Sequence, residues 1–167
     1  SNDAVTGTLE ETRQRIDSLV NCGGSRSSDS FHRDLGLKML DEVGMSRTQA
    51  GLEGTLDHIR NLRAEFKENL MVPGSADGLN PELEKALRVA DFLEFAEVMT
   101  LDALTREESC GGHFREEYQT EAGEAQRDDE NFTHVAAWEY RGESEAPIRH
   151  EEQLEFTEVM PSQRSYK

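Results

Sequence analysis

Cysteine is scarce in this chain: Cys22 and Cys110 are the only two in 167 residues, and neither belongs to a CxxC pair. That argues against a disulfide scaffold and fits a reduced, cytosolic setting. Positive charge is also short, with 18 Lys+Arg against 35 Asp+Glu and a formal net charge of -17. A polyanion binder needs the opposite balance, so neither nucleic acid nor an anionic membrane surface is expected as a partner. No apolar run approaches the roughly 18 to 20 residues that span a bilayer, and no basic-plus-apolar leader is present, so direct membrane insertion is not expected. Apolar residues make up 35% and charged residues 32%, a balance that favours long, solvated helices over a thick core. The length suffices for one domain with a core, or one domain plus an appendage. The chain opens Ser-Asn-Asp without an initiator methionine. The expectation is a domain processed or excised from something longer, with Ser1-Asn2 a foreign remnant.

What is present is helical periodicity. Thr8-Leu9-Glu10-Glu11 reads as a capping box that opens a short first helix, stopped by Asn21-Cys22-Gly23-Gly24. Phe31, Leu35, Met39, Leu40 and Val43 recur at helical spacing up to Gly44, which closes a second helix. Thr48 caps a third, where Leu52, Leu56, Ile59, Leu62, Phe66 and Leu70 are spaced 4, 3, 3, 4 and 4. Asn80-Pro81 is an N-cap with proline at the first helical position, and it opens a fourth helix buried through Leu83, Ala86, Leu87, Ala90, Leu93, Ala96, Leu101 and Leu104. The principal helices are expected at 29–45, 48–71 and 81–109. Beyond Gly111-Gly112 the texture turns acidic and loop-like. A strand is then expected at Phe132 to Tyr140, a turn at Arg141-Gly142-Glu143 and a second strand within Gln153 to Val159. The fold class is therefore all-α: a three-helix bundle, spectrin-repeat-like, with a short additional N-terminal helix and a C-terminal extension holding a weak β-hairpin. The segments divide as 1–24, 25–112 and 113–167, the last an extension of the same domain.

The stretch from Arg106 to Tyr118, REESCGGHFREEY, gathers charged groups, a thiol and an imidazole around two glycines. Cys110 and His113 are a start toward zinc, but tetrahedral zinc needs four ligands or three plus water, and only His134 and His150 follow downstream. A Cys-His nucleophile pair also needs a third, orienting group. Gly-Gly without GxxxxGK[ST] or GxGxxG context is no phosphate loop. The bland alternative is a helix end near Ser109 with Gly111 or Gly112 in the left-handed conformation. Arg127-Asp128-Asp129-Glu130 reads in the same way as a solvated turn neutralised by Arg127, rather than a cation site. Trp138 and Tyr140 share a strand face that suits core or interface. His32 and His58 are expected to be exposed.

The run Arg106-Glu-Glu-Ser-Cys-Gly-Gly-His113-Phe-Arg115-Glu-Glu-Tyr118, followed by Arg127-Asp-Asp-Glu-Asn-Phe132, resembles the C-terminal region of the flavoprotein subunit of succinate dehydrogenase and fumarate reductase. That family typically shows R-x-E-S-R-G-A-H-x-R-x-D-[FY] and then R-D-D-x-x-W. The ending Gln163-Arg164-Ser165-Tyr166 is similar to its terminal I-R-[ST]-Y, and Val43-Gly44-Met45-Ser46-Arg47 to its link between two bundle helices. Cys110 replaces the usual arginine, Gly112 the usual alanine and Phe132 the usual tryptophan, and the His-Thr after that aromatic is absent as such. Contacts made at those three positions do not transfer one to one.

The resemblance implies a parent with an FAD domain, a capping domain and this helical domain, interconverting succinate and fumarate by hydride transfer at the flavin. FAD and the catalytic groups would lie outside this chain, which has neither a dinucleotide fingerprint nor a histidine in a covalent-flavin motif, and which would be inactive alone. Partners implied are the FAD and capping domains of the same polypeptide, the iron-sulfur subunit and the membrane anchor. The implied location is cytoplasmic, peripheral to the inner membrane. Arg106, Glu107, His113, Arg115, Glu116, Arg127 and Asp128 are expected to make interdomain hydrogen bonds and ion pairs, left dangling in the isolated chain. The related L-aspartate oxidase and adenylylsulfate reductase also carry helical C-terminal domains, and an independent acidic helical adaptor is a further alternative.

Overall fold

The structure, a computed structural model, describes residues 2–142 and 145–162. The ending Gln163-Arg164-Ser165-Tyr166 and the turn residue Glu143 lie outside the described residues. Helices α1 (Asn2–Val20), α2 (Ser28–Val43), α3 (Gln49–Asn69), α4 (Pro81–Thr105) and the single turn α5 (Asp129–Phe132) dominate. They are joined by two short sheets, β1 (Arg26–Ser27) with β2 (Leu70–Met71), and β3 (His134–Glu139) with β4 (Ile148–Gln153). The helical bundle and hairpin extension are as expected. The first helix is longer: the Thr8 hydroxyl donates to the Ala4 carbonyl at 3.1 Å, a bond made inside a helix, where a cap would accept from an amide. The expected caps on α3 and α4 are present. Thr48 Oγ1 accepts from the Gly51 amide at 3.0 Å, and Asn80 Oδ1 accepts from both Glu82 and Leu83 at 3.1 Å.

Two compact units divide the chain, each taking a part of α2, α3 and α4. In the unit made of residues 1–37 and 57–95, Phe31, Leu35, Ile59, Leu62, Phe66, Leu70, Ala86, Val89 and Leu93 are buried. Phe31 and Phe66 meet edge to face at 5.1 Å. The Arg26 guanidinium stands 4.1 Å from the centre of the Phe31 ring and reaches Asp34 at 2.6 Å and Glu65 at 2.7 Å. His58, expected to be exposed, is half-buried with Nε2 3.0 Å from Asp34. His32 is exposed as expected and stacks on Phe92. Arg26 and Ser27 pair in parallel with Leu70 and Met71. The Gly24 amide extends this contact by donating to the Leu70 carbonyl at 3.0 Å.

In the unit made of residues 38–56 and 96–167, Val43, Leu52 and Ala103 form a buried cluster with Met39 and Leu104 packed against it. The hairpin is antiparallel, from His134 opposite Gln153 to Glu139 opposite Ile148. Its second strand lies upstream of the expected Gln153 to Val159. Phe132 is taken into α5, whose N-cap is Asp128, and pairing closes where the Leu154 amide donates to Thr133. Burial alternates along β3, with His134 buried and Trp138 half-buried, its Nε1 donating to Asp102 at 2.8 Å. Tyr140 lies past the end of the strand and is 64% exposed, so it does not share the burial of Trp138.

Two glycines give opposite expectations. A Cβ on Gly24 would sit 2.0 Å from the Asn69 carbonyl carbon, so Gly24→Ala must push two backbone segments apart and should cost on the order of 1 to 3 kcal/mol. Gly36 lies inside α2 with open space around it, so Gly36→Ala should stabilise by about 0.5 to 1 kcal/mol. Urea unfolding midpoints of the two variants check both signs.

Candidate functional site

The expected fourth helix ran to Ser109, but α4 ends at Thr105. Glycine does not stop it. Arg115, ten residues on and 1% exposed, points its guanidinium at the helix end, with Nη1 donating to the Ala103 and Leu104 carbonyls at 3.1 Å each. These carbonyls belong to the last turn, where no intrahelical partner follows and the macrodipole favours a cation. Nε of Arg115 meets Glu117 at 3.2 Å, and its guanidinium lies 5.5 Å from the Tyr118 ring centre. The Arg115 backbone is held as well, by its amide donating to Ser109 Oγ at 2.8 Å and by a parallel bridge to Arg47.

Cys110 and His113 form a tight reverse turn, not a ligand pair. The Cys110 amide donates to the His113 carbonyl at 2.8 Å and the His113 amide returns the bond at 3.0 Å, with Gly111 at φ +60 between them. The left-handed glycine is as expected, although it serves this turn and not a helix cap. His113 Nδ1 lies 2.6 Å from Arg47 Nη1 and Nε2 lies 2.9 Å from the Arg106 carbonyl. Arginine is always a donor, so Nδ1 accepts and the proton resides on Nε2. With both nitrogens engaged, the ring has no lone pair left for a metal or a substrate proton. Burial lowers its pKa, and the charges of Arg47, Arg106 and Arg115 add to that, against the opposing bond to the Arg106 carbonyl. Among the described residues, no group of three or more His, Cys, Asp or Glu is placed to hold a metal ion.

The other expected docking residues have partners inside the same unit rather than dangling charges. Arg106 meets Glu108 at 2.6 Å, and Glu116 accepts from the Ser46 hydroxyl at 2.6 Å. Arg127 pairs with Asp129 at 2.5 Å and donates to the Ser162 carbonyl, while Asp128 Oδ1 accepts from the Asn131 amide. Glu107 is exposed, and its carboxylate, after burial, helps raise the Tyr118 phenol.

Four contributors escaped sequence reasoning. Glu108, 2% exposed, takes Arg106 on one oxygen and the Asp128 amide on the other at 2.9 Å. Glu117 accepts from the Gln49 amide at the start of α3. Burial alone would raise its pKa, but the bonds from the Gln49 and Glu117 amides and from Arg115 lower it. Arg47 donates to the carbonyls of Val43 and Gly44, closing α2. Ser109, fully buried, accepts from the Arg115 amide. Only Arg47, four residues past the end of α2, carried a signal, as a cation near a helix C-terminus.

The family described as "Fumarate reductase flavoprotein C-term" matches residues 32–166. The chain belongs to that family. Relatives include the fumarate reductase flavoprotein subunit of a Serratia species, 27% identical over 98% of this chain and 26% of the relative. That of Helicobacter pylori is 30% identical over 97% of this chain and 22% of its own length. The chain spans about a quarter of the length of the curated relatives it matches. A quinol-fumarate reductase solved with menaquinol molecules superposes with TM-score 0.79 at 25% identity, covering 96% of this chain and 27% of that one.

Among the described residues the only parallel strand pair is the two-residue β1 with β2, and no glycine-rich strand-to-helix turn of the kind that takes a dinucleotide pyrophosphate is present.

Arg115→Ala should cost on the order of 3 kcal/mol by stripping two helix-end carbonyls of a charged donor, and Arg115→Lys should recover only part of it because an ammonium lacks the fork. Chemical unfolding of the purified domain checks both. For His113 the folded pKa lies below the unfolded value, so the unfolded chain binds the extra proton. The associated stability is present above about pH 6.5 and lost as pH falls below it. Replacing His113 with Gln should flatten the fall in unfolding free energy between about pH 6.5 and 5 relative to the parent sequence.

Proposed function

We propose that this domain is the non-catalytic brace of a succinate dehydrogenase/fumarate reductase flavoprotein subunit. In the parent, FAD and the substrate groups are held by other domains, and succinate and fumarate interconvert by hydride transfer at the flavin. The observation that carries this reading is how the motif's titratable groups are spent: His113, Arg115 and Glu117 close helix ends and turns, leaving a rigid polar edge rather than a reactive centre. Glu107 and Glu116 are exposed on that edge, and Arg106, Arg127 and Asp128 are half-buried beside them. In this reading they meet the flavin-bearing domain and the iron-sulfur subunit, while Arg115 and His113 set the edge's shape from below.

Unit two's inclusion of residues 113–167 with parts of the helices supports treating the extension as part of the same domain. No helix among the described residues is long and apolar enough to cross a membrane. That is compatible with a subunit held at the cytoplasmic face of the inner membrane through an anchor partner. The matched relatives are named fumarate reductase or succinate dehydrogenase, which favours that activity over L-aspartate oxidase or adenylylsulfate reductase.

Purified alone, the chain should show no flavin absorbance and no dye reduction with succinate; either signal sinks the non-catalytic reading. In the full-length parent, Arg115→Ala should lower flavin content or subunit assembly while turnover per bound flavin stays within about twofold. A loss of turnover with flavin and assembly intact contradicts the bracing role.

A further inference from the structure

From Glu151 to Met160 the sequence reads EEQLEFTEVM, four carboxylates interleaved with four large apolar side chains and no cation. All ten residues are exposed, with Leu154 42%, Phe156 45%, Val159 74% and Met160 77% exposed. The segment is tied down at both ends. At its start the Leu154 amide donates to the Thr133 carbonyl, and beyond its end the Ser162 carbonyl accepts from Arg127 at 3.2 Å. Pro161 between them is half-buried. A stretch anchored at both ends that still turns its apolar groups to water has the character of an interaction site, because grouped exposed apolar side chains mark docking surfaces.

Charge selects what docks. A second copy of this chain, at -17, would set carboxylates against carboxylates, and nucleic acid or anionic lipid would set them against phosphates. A neutral apolar ligand leaves Glu152, Glu155 and Glu158 unanswered, Glu151 being already paired with Arg149 of the same strand. A surface with an apolar groove rimmed by Lys and Arg satisfies both halves of the pattern. The acidic field also raises the rate at which separate molecules meet, an effect of no use to groups already joined in one polypeptide. We propose that residues 151–160 form a linear docking segment for the basic, apolar-grooved surface of a separate protein chain. The proposal goes beyond the bracing role, since it holds whichever reaction the parent carries out.

The test is site-specific photo-crosslinking in the full-length parent protein, produced in its own cells, with Phe156→p-benzoylphenylalanine. The expected product is an adduct to a different polypeptide, on a peptide that contains Lys or Arg. Its yield should fall at least about tenfold when Glu152, Glu155 and Glu158 are all replaced by Gln. Because these side chains are exposed, the domain's melting temperature should be unchanged, which separates lost docking from lost folding. Adducts confined to the parent polypeptide, a second copy or lipid overturn the proposal, as do no adduct at all or an undiminished yield with glutamine. Flavin content and succinate-dye turnover, measured on the same preparation, keep this outcome distinct. An active parent without the adduct sinks only the docking segment, and an adduct on a parent without flavin sinks only the flavoprotein reading.

Discussion

A buried guanidinium governs the second unit. Arg115 has lost nearly all contact with water, a position that costs several kcal/mol unless every donor finds an acceptor. The carbonyls of Ala103 and Leu104, the carboxylate of Glu117 and the face of Tyr118 supply that environment. Each acceptor thereby becomes fixed in turn. Glu117, held by Arg115 through one oxygen, offers the other to the first amide of α3, and Arg47, bridged to the Arg115 backbone, closes α2. The end of α2, the start of α3 and the end of α4 are therefore tied by three side chains, with neutral His113 joining Arg47 to the chain just after α4. Protonating that histidine would set a fourth cation beside Arg47, Arg106 and Arg115, so the network favours the neutral ring.

The first unit is organised differently. Its ion cluster of Arg26, Asp34, Glu65 and His58 is partly solvated, and pairs of that kind contribute little each. Its stability rests on apolar burial at Phe31, Ile59, Leu62, Phe66, Leu70 and Leu93. Arg26 contributes mainly as a lid, covering the Phe31 ring while its charge is shared between two carboxylates. Burial opposes ionisation of Asp34, and the Arg26 and His58 contacts more than offset it, lowering its pKa.

This difference explains which parts of the fold were legible in the sequence. The stripe from Leu52 to Leu70 is buried throughout, because a helix packed by apolar contact writes its face into a 3.6-residue period. The caps Thr48 and Asn80 were legible for the same local reason: donor and acceptor lie within three residues. The end of α4 was not legible, since its terminating group is ten residues away and looks like a surface arginine. The parallel pairing of Arg26-Ser27 with Leu70-Met71 left no trace either, because two residues a side are too few for a pattern. In the hairpin the β-propensity of Val135 and Trp138 located the first strand. The second, Ile-Arg-His-Glu-Glu-Gln, carries one apolar residue and is specified by its partner instead. REESCGGHFREEY advertised chemistry through residue types that capping geometry also requires, and sequence alone does not separate an arginine that closes a helix from one that holds a substrate.

Cation scarcity connects the interior to the surface. Of 18 lysines and arginines, Arg115 and Arg47 are committed to helix carbonyls, Arg26 to a two-carboxylate cluster, and Arg106 to buried Glu108. Each of those cations is committed to a contact within its own unit, and Arg115 is fully buried. The remaining carboxylate excess is left for solvent, as at Glu152, Glu155 and Glu158 beyond the Arg149–Glu151 pair. Positive charge committed to helix ends is thus unavailable to neutralise the exterior of a chain whose 35 acidic residues already outnumber its 18 lysines and arginines.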